Sequence, residues 1–141
     1  MDWKTIVVGV DDLEPADRAL ERAAGIAHTT GAKLVVTSVA PMLVGMAAAH
    51  GIGPFDPADP PESHREELAK ARSFLLDKGV PAEFELGLGE PAEAIVRLAE
   101  KHEADLIVVG TREAGFLEHV LSGSVSQAVA RKAHCDVLIV H

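Results

Sequence analysis

Thr5-Ile6-Val7-Val8-Gly9-Val10 is a β-branched apolar run that stops at Asp11-Asp12. No polar residue interrupts it, so it reads as a strand covered on both faces. The segment after it decides how that strand is used. Pro15 suits the first turn of a helix, where its missing N–H costs nothing. Ala16, Ala19, Leu20, Ala23, Ile26 and Ala27 then recur at helical spacing until Gly31 offers a stop. A second apolar run comes next, Leu34-Val35-Val36-Thr37-Ser38-Val39. Strands joined through a helix pair in parallel, by a right-handed crossover.

The same alternation continues outward. Helical periodicity returns over Glu62–Lys78, through Leu68, Ala71, Phe74 and Leu75, and stops at Gly79. Ala82–Leu86 alternates, with Phe84 and Leu86 on one face and Glu83 and Glu85 on the other, as a half-exposed edge does. Gly89-Glu90-Pro91 opens a helix carrying Ala92, Ile95, Val96 and Ala99. Leu106-Ile107-Val108-Val109 is a fourth strand ending at Gly110; a polar loop runs to Ser122, and a helix extends from Gly123 through Val125, Ala128 and Val129. Val137-Leu138-Ile139-Val140 is the fifth strand. The expectation is one α/β domain over residues 1–141, a doubly wound five-stranded parallel sheet with helices on both faces.

Two segments stand out against that plan. Val137–Val140 is wholly apolar, has no helix after it and belongs at the edge opposite Ala82–Leu86. An unguarded apolar edge calls for a partner, which a second copy of the chain supplies. Pro41 to Pro61 loses all periodicity and crowds together Gly51, Gly53, Pro54, Pro57, Pro60 and Pro61. It reads as a long loop in which Met42, Val44 and Met46 form an apolar patch or short helix, either a lid over the site or a disordered segment.

Composition narrows the partners. Thirteen basic against 22 acidic residues leave a net charge of −9, spread along the chain. That sign repels a nucleic-acid backbone or an anionic membrane. The single cysteine cannot form an internal disulfide. No charged leader precedes the first strand and no apolar run reaches spanning length, so the expected setting is cytoplasmic.

Ligands of such sheets sit beyond the carboxyl ends of the strands. After the first strand, Gly9-Val10-Asp11-Asp12-Leu13-Glu14 lacks the dinucleotide pattern G-x-G-x-x-G. Gly110 and Gly115 have P-loop spacing, yet Phe116-Leu117 stands where Lys-Ser/Thr is required. What survives is Gly110 at a strand end and Ser122-Gly123-Ser124-Val125 opening a helix. A helix N-terminus carries unpaired N–H groups and partial positive charge, and glycines admit close backbone approach to phosphate. Ser and Gly are equally ordinary helix-cap residues.

These residues carry a resemblance over essentially the whole chain. Lys4–Asp11, Gly89-Glu90-Pro91 with Ala104–Gly110, and Gly123–Ser126 running to Asp136–Val140 resemble the universal stress protein family. The resemblance implies a Rossmann-like domain of the adenine nucleotide alpha hydrolase-like kind. ATP-binding members carry G-x-x-G-x9-G-[ST] after the fourth strand, and Gly110 and Gly123-Ser124 match its ends. By that likeness Asp11 would contact the ribose or adenine side, and Val39 would line the adenine pocket. Val109, Gly110, Gly123, Ser124 and Val125 would surround the phosphates. The family also implies homodimers through the final strand, and a stress-response sensor or interaction module more than a vigorous catalyst.

Glu113 departs from the pattern where its middle glycine belongs. A carboxylate about 6 Å from a phosphate charge, at an effective dielectric near 20, repels it by roughly 3 kcal/mol per charge pair. The expected ligand is therefore ATP or an AMP-type nucleotide, the monophosphate or cyclic form being the easier electrostatically. Glu113 could also help hold a magnesium ion. Two other functions use the same fold: a nucleotide-independent interaction dimer with an unidentified protein partner, and a slow nucleotide hydrolase. The hydrolase lacks a loop lysine and has general bases only in Asp11 or Glu113.

Other motifs are weaker. Asp11-Asp12 is similar to the acidic pair of phosphoacceptor receivers, but the strand-three Asp and the late Lys of such domains are missing. His28, His50, His64, His102, His119, His134 and His141 include no i, i+4 pair and no His-Glu-x-x-His. Cys135 reads as an inert buried thiol. Ser122-Gly123-Ser124 is not a nucleophile elbow.

Overall fold

Continuous apolar runs bounded by turn residues become the five strands of one parallel sheet. The computed structural model describes residues 2–11, 14–42, 54–111 and 125–141. In chain order these form β1 (Thr5–Gly9), α1 (Glu14–Thr30), β2 (Lys33–Ala40), α2 (Pro61–Lys78), β3 (Ala82–Leu88), α3 (Pro91–Lys101), β4 (Leu106–Gly110), α4 (Val125–Lys132) and β5 (Asp136–Val140). The strand order is β3-β2-β1-β4-β5, and every pairing is parallel. This is the doubly wound architecture, with the alternating strand at one edge and the apolar strand at the other.

The pleat sorts each interior strand onto two cores. Ile6, Val8, Leu34, Val36, Leu106 and Val108 face α1 and α2, whereas Val7, Val35, Ile107 and Val109 face α3 and α4. Ile6, Val7, Val8, Leu34, Val35, Val36, Ile107 and Val108 are wholly buried, as a sheet covered twice requires. Helix ends are set locally. Gly79 takes a left-handed conformation (φ 70°), and Gly79 and Val80 donate back to the carbonyls of Leu76 and Leu75 at 3.1 and 3.0 Å, closing α2. Glu90 caps α3, its carboxylate accepting from the Ala92 and Glu93 amides at 3.2 and 2.8 Å.

β3 keeps Glu83 exposed at its edge. On β5, Val137, Leu138 and Ile139 are half-buried. Of the expected long loop, Met42 and Phe55 form an antiparallel bridge, and Pro61 already belongs to α2 at its first position. Val44 and Met46 lie outside the described residues. No helix among the described residues is long and apolar enough to cross a membrane.

Candidate functional site

Winding reverses at β1. The chain steps outward through β2 to β3, then returns to the other side of β1 to build β4 and β5. Such a switch point opens a crevice beyond the carboxyl ends of the strands. Its rim is held by bonds that continue the ladders past the strands. Val10 N–H donates to the Thr37 carbonyl at 2.8 Å, Gly89 to Ala40 at 2.9 Å and Thr111 to Val140 at 2.8 Å.

A cavity of about 240 Å³ lies at this point. Five residues singled out from the sequence line it: Asp11 beyond β1, Val39 on β2, Val109 and Gly110 on β4, and Val125 at the start of α4. They come from four different elements, and the topology alone brings them together. Glu113, Gly123 and Ser124 lie outside the described residues.

The site is crowded at its floor. A Cβ built on Gly110 would stand 2.4 Å from the Pro15 carbonyl oxygen, 2.5 Å from its carbon and 2.9 Å from the Ala16 nitrogen. Glycine at 110 is therefore what lets the N-terminal turn of α1 close against β4. Gly87, in register with Val39, has a similar role on β3: a Cβ there would meet Val39 Cγ2 at 2.9 Å and Thr37 Oγ1 at 3.3 Å. Thr37 itself lines the cavity, is 1 % exposed, and its Oγ1 has no hydrogen-bond partner among the described residues. An orphaned buried hydroxyl is rare in native structures.

On the opposite face of β2, Ser38 opens a polar cluster that pattern-reading does not reveal. Its hydroxyl lies 2.7 Å from His64 Nδ1 and donates to Glu67 Oε1 at 2.5 Å. His64 Nε2 lies 2.7 Å from Asp59 Oδ1, and Nδ1 lies 3.2 Å from Glu67 Oε1. Ser38, His64 and Glu67 are buried, whereas Asp59 lines the cavity. The available signal was the i, i+3 spacing of His64 and Glu67 on α2, which a search for metal-binding spacings passes over.

Elsewhere, electrostatics are structural. The Glu85 carboxyl is held below the usual carboxylate range, chiefly by its hydrogen bond from Lys101 (2.8 Å) and also by His102, against a smaller opposing effect of burial. Cys135 is half-buried rather than fully buried, because it precedes β5 at the sheet edge; burial first, then the charges of Asp136 and Asp105, pushes its thiol pKa up. Among the described residues no group of three or more His, Cys, Asp or Glu is placed to hold a metal ion.

Comparison with known proteins agrees with this architecture. The model of the universal stress protein family matches residues 2–141. A universal stress protein from Methanocaldococcus jannaschii is 36% identical over 141 residues, covering 98% of this chain and 82% of its own. A universal stress protein solved in complex with cAMP superposes with a TM-score of 0.78 at 30% identity, covering 100% of this chain and 99% of its own. The universal stress protein from Archaeoglobus fulgidus in complex with dAMP gives 0.70 at 29% identity and covers 100% of both chains.

Proposed function

Because this chain belongs to the universal stress protein family, we propose that it binds an adenine nucleotide of the AMP type in the crevice between the ends of β1, β2 and β4. The reading rests on one observation above others: Asp11, Val39, Val109, Gly110 and Val125 converge on a single cavity at the switch point of the sheet. Relatives in complex with cAMP and dAMP support the same class. The N-terminus of α4 offers the phosphate a partial positive charge, with Gly123 and Ser124 adjoining it in sequence. Magnesium would enter with a longer phosphate chain and would use Glu113.

The bound form works as a homodimeric sensor in the cytoplasm, the two copies meeting along Val137–Val140. Support comes from the half-buried apolar side chains of β5, an edge strand of the sheet. Native mass spectrometry of the protein as purified from cytoplasm tests both statements at once. A dimer mass carrying one nucleotide monophosphate per chain is expected, and Ile139→Lys should yield folded monomers. A nucleotide-free protein that also fails to take up added AMP would refute the binding. A dimer unchanged by Ile139→Lys would move the interface elsewhere.

A further inference from the structure

We propose that Asp59 recognises the ligand of this cavity: its second carboxylate oxygen accepts a hydrogen bond from an uncharged donor of the bound nucleotide, and the buried His64 ring, donating from Nε2 and backed by Ser38 and Glu67, holds it in position. The inference rests on the nucleotide reading above and adds to it a residue that no sequence motif marks.

Protons decide the charge of the cluster. Three short contacts link its members: Glu67 to Ser38, Ser38 to His64, and His64 to Asp59. Each needs one hydrogen between its two heavy atoms. The Ser38 hydroxyl supplies one and a neutral imidazole a second, while ionised carboxylates supply none. The cluster therefore carries one proton more than a neutral histidine and two carboxylates would have. With that proton on either Glu67 or the His64 ring, Nε2 carries hydrogen and donates to Asp59. Asp59 then remains an ionised acceptor, with Oδ1 engaged at 2.7 Å and the carboxylate still 47% exposed. Among the described residues, Asp11 beyond β1, Asp17 and Glu21 on α1, and Lys70 on α2 line the neighbouring cleft with Glu67. The order Ser38–His64–Asp59 does not make a nucleophile, since Ser38 is 1 % exposed and is bonded to Glu67.

Position in the sheet gives Asp59 its role. It shares the β2 side of the cavity with Val39 and Pro41, whereas Gly110 and Val125 lie on the β4 side. The ends of β2 and β4 are two strand spacings apart, roughly 10 Å, the scale of a mononucleotide from base to phosphate. Carboxylates at Asp59 and Asp11 repel phosphate, and the N-terminus of α4 attracts it. A nucleotide is thus oriented with its neutral donors toward Asp59. Those donors are the exocyclic amine of the base or a ribose hydroxyl.

Calorimetric titration of the full chain with AMP, inosine monophosphate and 2′-deoxy-AMP separates the two. Native protein should prefer AMP to whichever analogue lacks the donor. Asp59→Asn should weaken AMP binding about tenfold or more and abolish that preference, as loss of a hydrogen bond to a charged group does. His64→Gln, which keeps an N–H donor, should retain the preference, and His64→Leu should lose it. Asp59→Asn protein that binds and discriminates like the native chain would overturn the proposal, as would native protein that binds all three equally. Native protein that binds none of them overturns the nucleotide reading itself. Nitrogen-15 spectra of the native, ligand-free chain give a test that needs no variant: His64 Nε2 should carry hydrogen, and a bare Nε2 would overturn the contact that positions Asp59.

Discussion

Replacing Gly110 by alanine adds one methyl group where three backbone atoms already stand. The Cβ would lie 2.4 Å from the Pro15 carbonyl oxygen, a full ångström inside ordinary van der Waals contact at 3.4 Å. No rotamer change relieves this, since the obstructing atoms belong to the first turn of α1 and not to a flexible side chain. Either β4 or α1 must shift, and α1 is anchored through buried Ala16, Ala19, Leu20 and Ala23. Gly110 does not have a positive φ, so collision is the whole effect. Overpacking a core costs about 1–3 kcal/mol and sometimes more; a clash with backbone belongs at the upper end. A loss of about 3 kcal/mol with a urea slope near 2 kcal/mol/M lowers the unfolding midpoint by roughly 1.5 M. Gly25→Ala is the control: it lies exposed in α1 with nothing within 4 Å of its Cβ, and should gain about 0.4–1 kcal/mol. A Gly110→Ala midpoint within error of the native one would refute the close approach of α1 to β4, and with it the shape of the cavity floor.

Local geometry sets three further outcomes. Glu90→Ala removes the cap of α3 and should cost about 1 kcal/mol by urea unfolding, with fraying of Ala92 and Glu93 visible in amide exchange. The Glu85 carboxyl should titrate below the usual range by NMR, and Lys101→Met should move it back up; because the folded value is depressed, its stabilising contribution is present above the ordinary carboxylate range and is lost as pH falls through the folded value. Cys135 should react with iodoacetamide more slowly than a free thiol at neutral pH, with the midpoint of its pH–rate curve above the ordinary thiol range; a rate equal to that of free cysteine would contradict the burial that causes the shift.

Strand identity was legible because period and continuity differ between edge and interior. Glu83 and Glu85 alternate with Phe84 and Leu86, and that segment is the edge strand β3. The unbroken run at Ile6–Val8 is the centre of the sheet. Asp11, Val39, Val109 and Gly110 were legible as neighbours because parallel topology sends all their strands to one rim. Two things were not. Gly110 suggests a backbone opened to phosphate, and the structure adds a second reason for glycine there, the close packing of Pro15 and Ala16, which no local pattern encodes. The cluster of Ser38, Asp59, His64 and Glu67 joins a strand, a turn and a helix. Each member alone resembles an ordinary polar residue, and only the meeting of β2 with α2 makes them a unit.

Occupancy of the switch-point crevice by an AMP-type nucleotide can be read residue by residue. Amide NMR spectra of the isotopically labelled full chain, recorded as AMP is added, report it at each strand end. Saturable shifts should concentrate at Val10, Asp11, Val39, Val109, Thr111 and Val125, with Ile26 and Leu76 on the outer helices unmoved. Saturation with AMP that leaves those rim amides unchanged, or shifts centred on another part of the molecule, would contradict binding in the crevice.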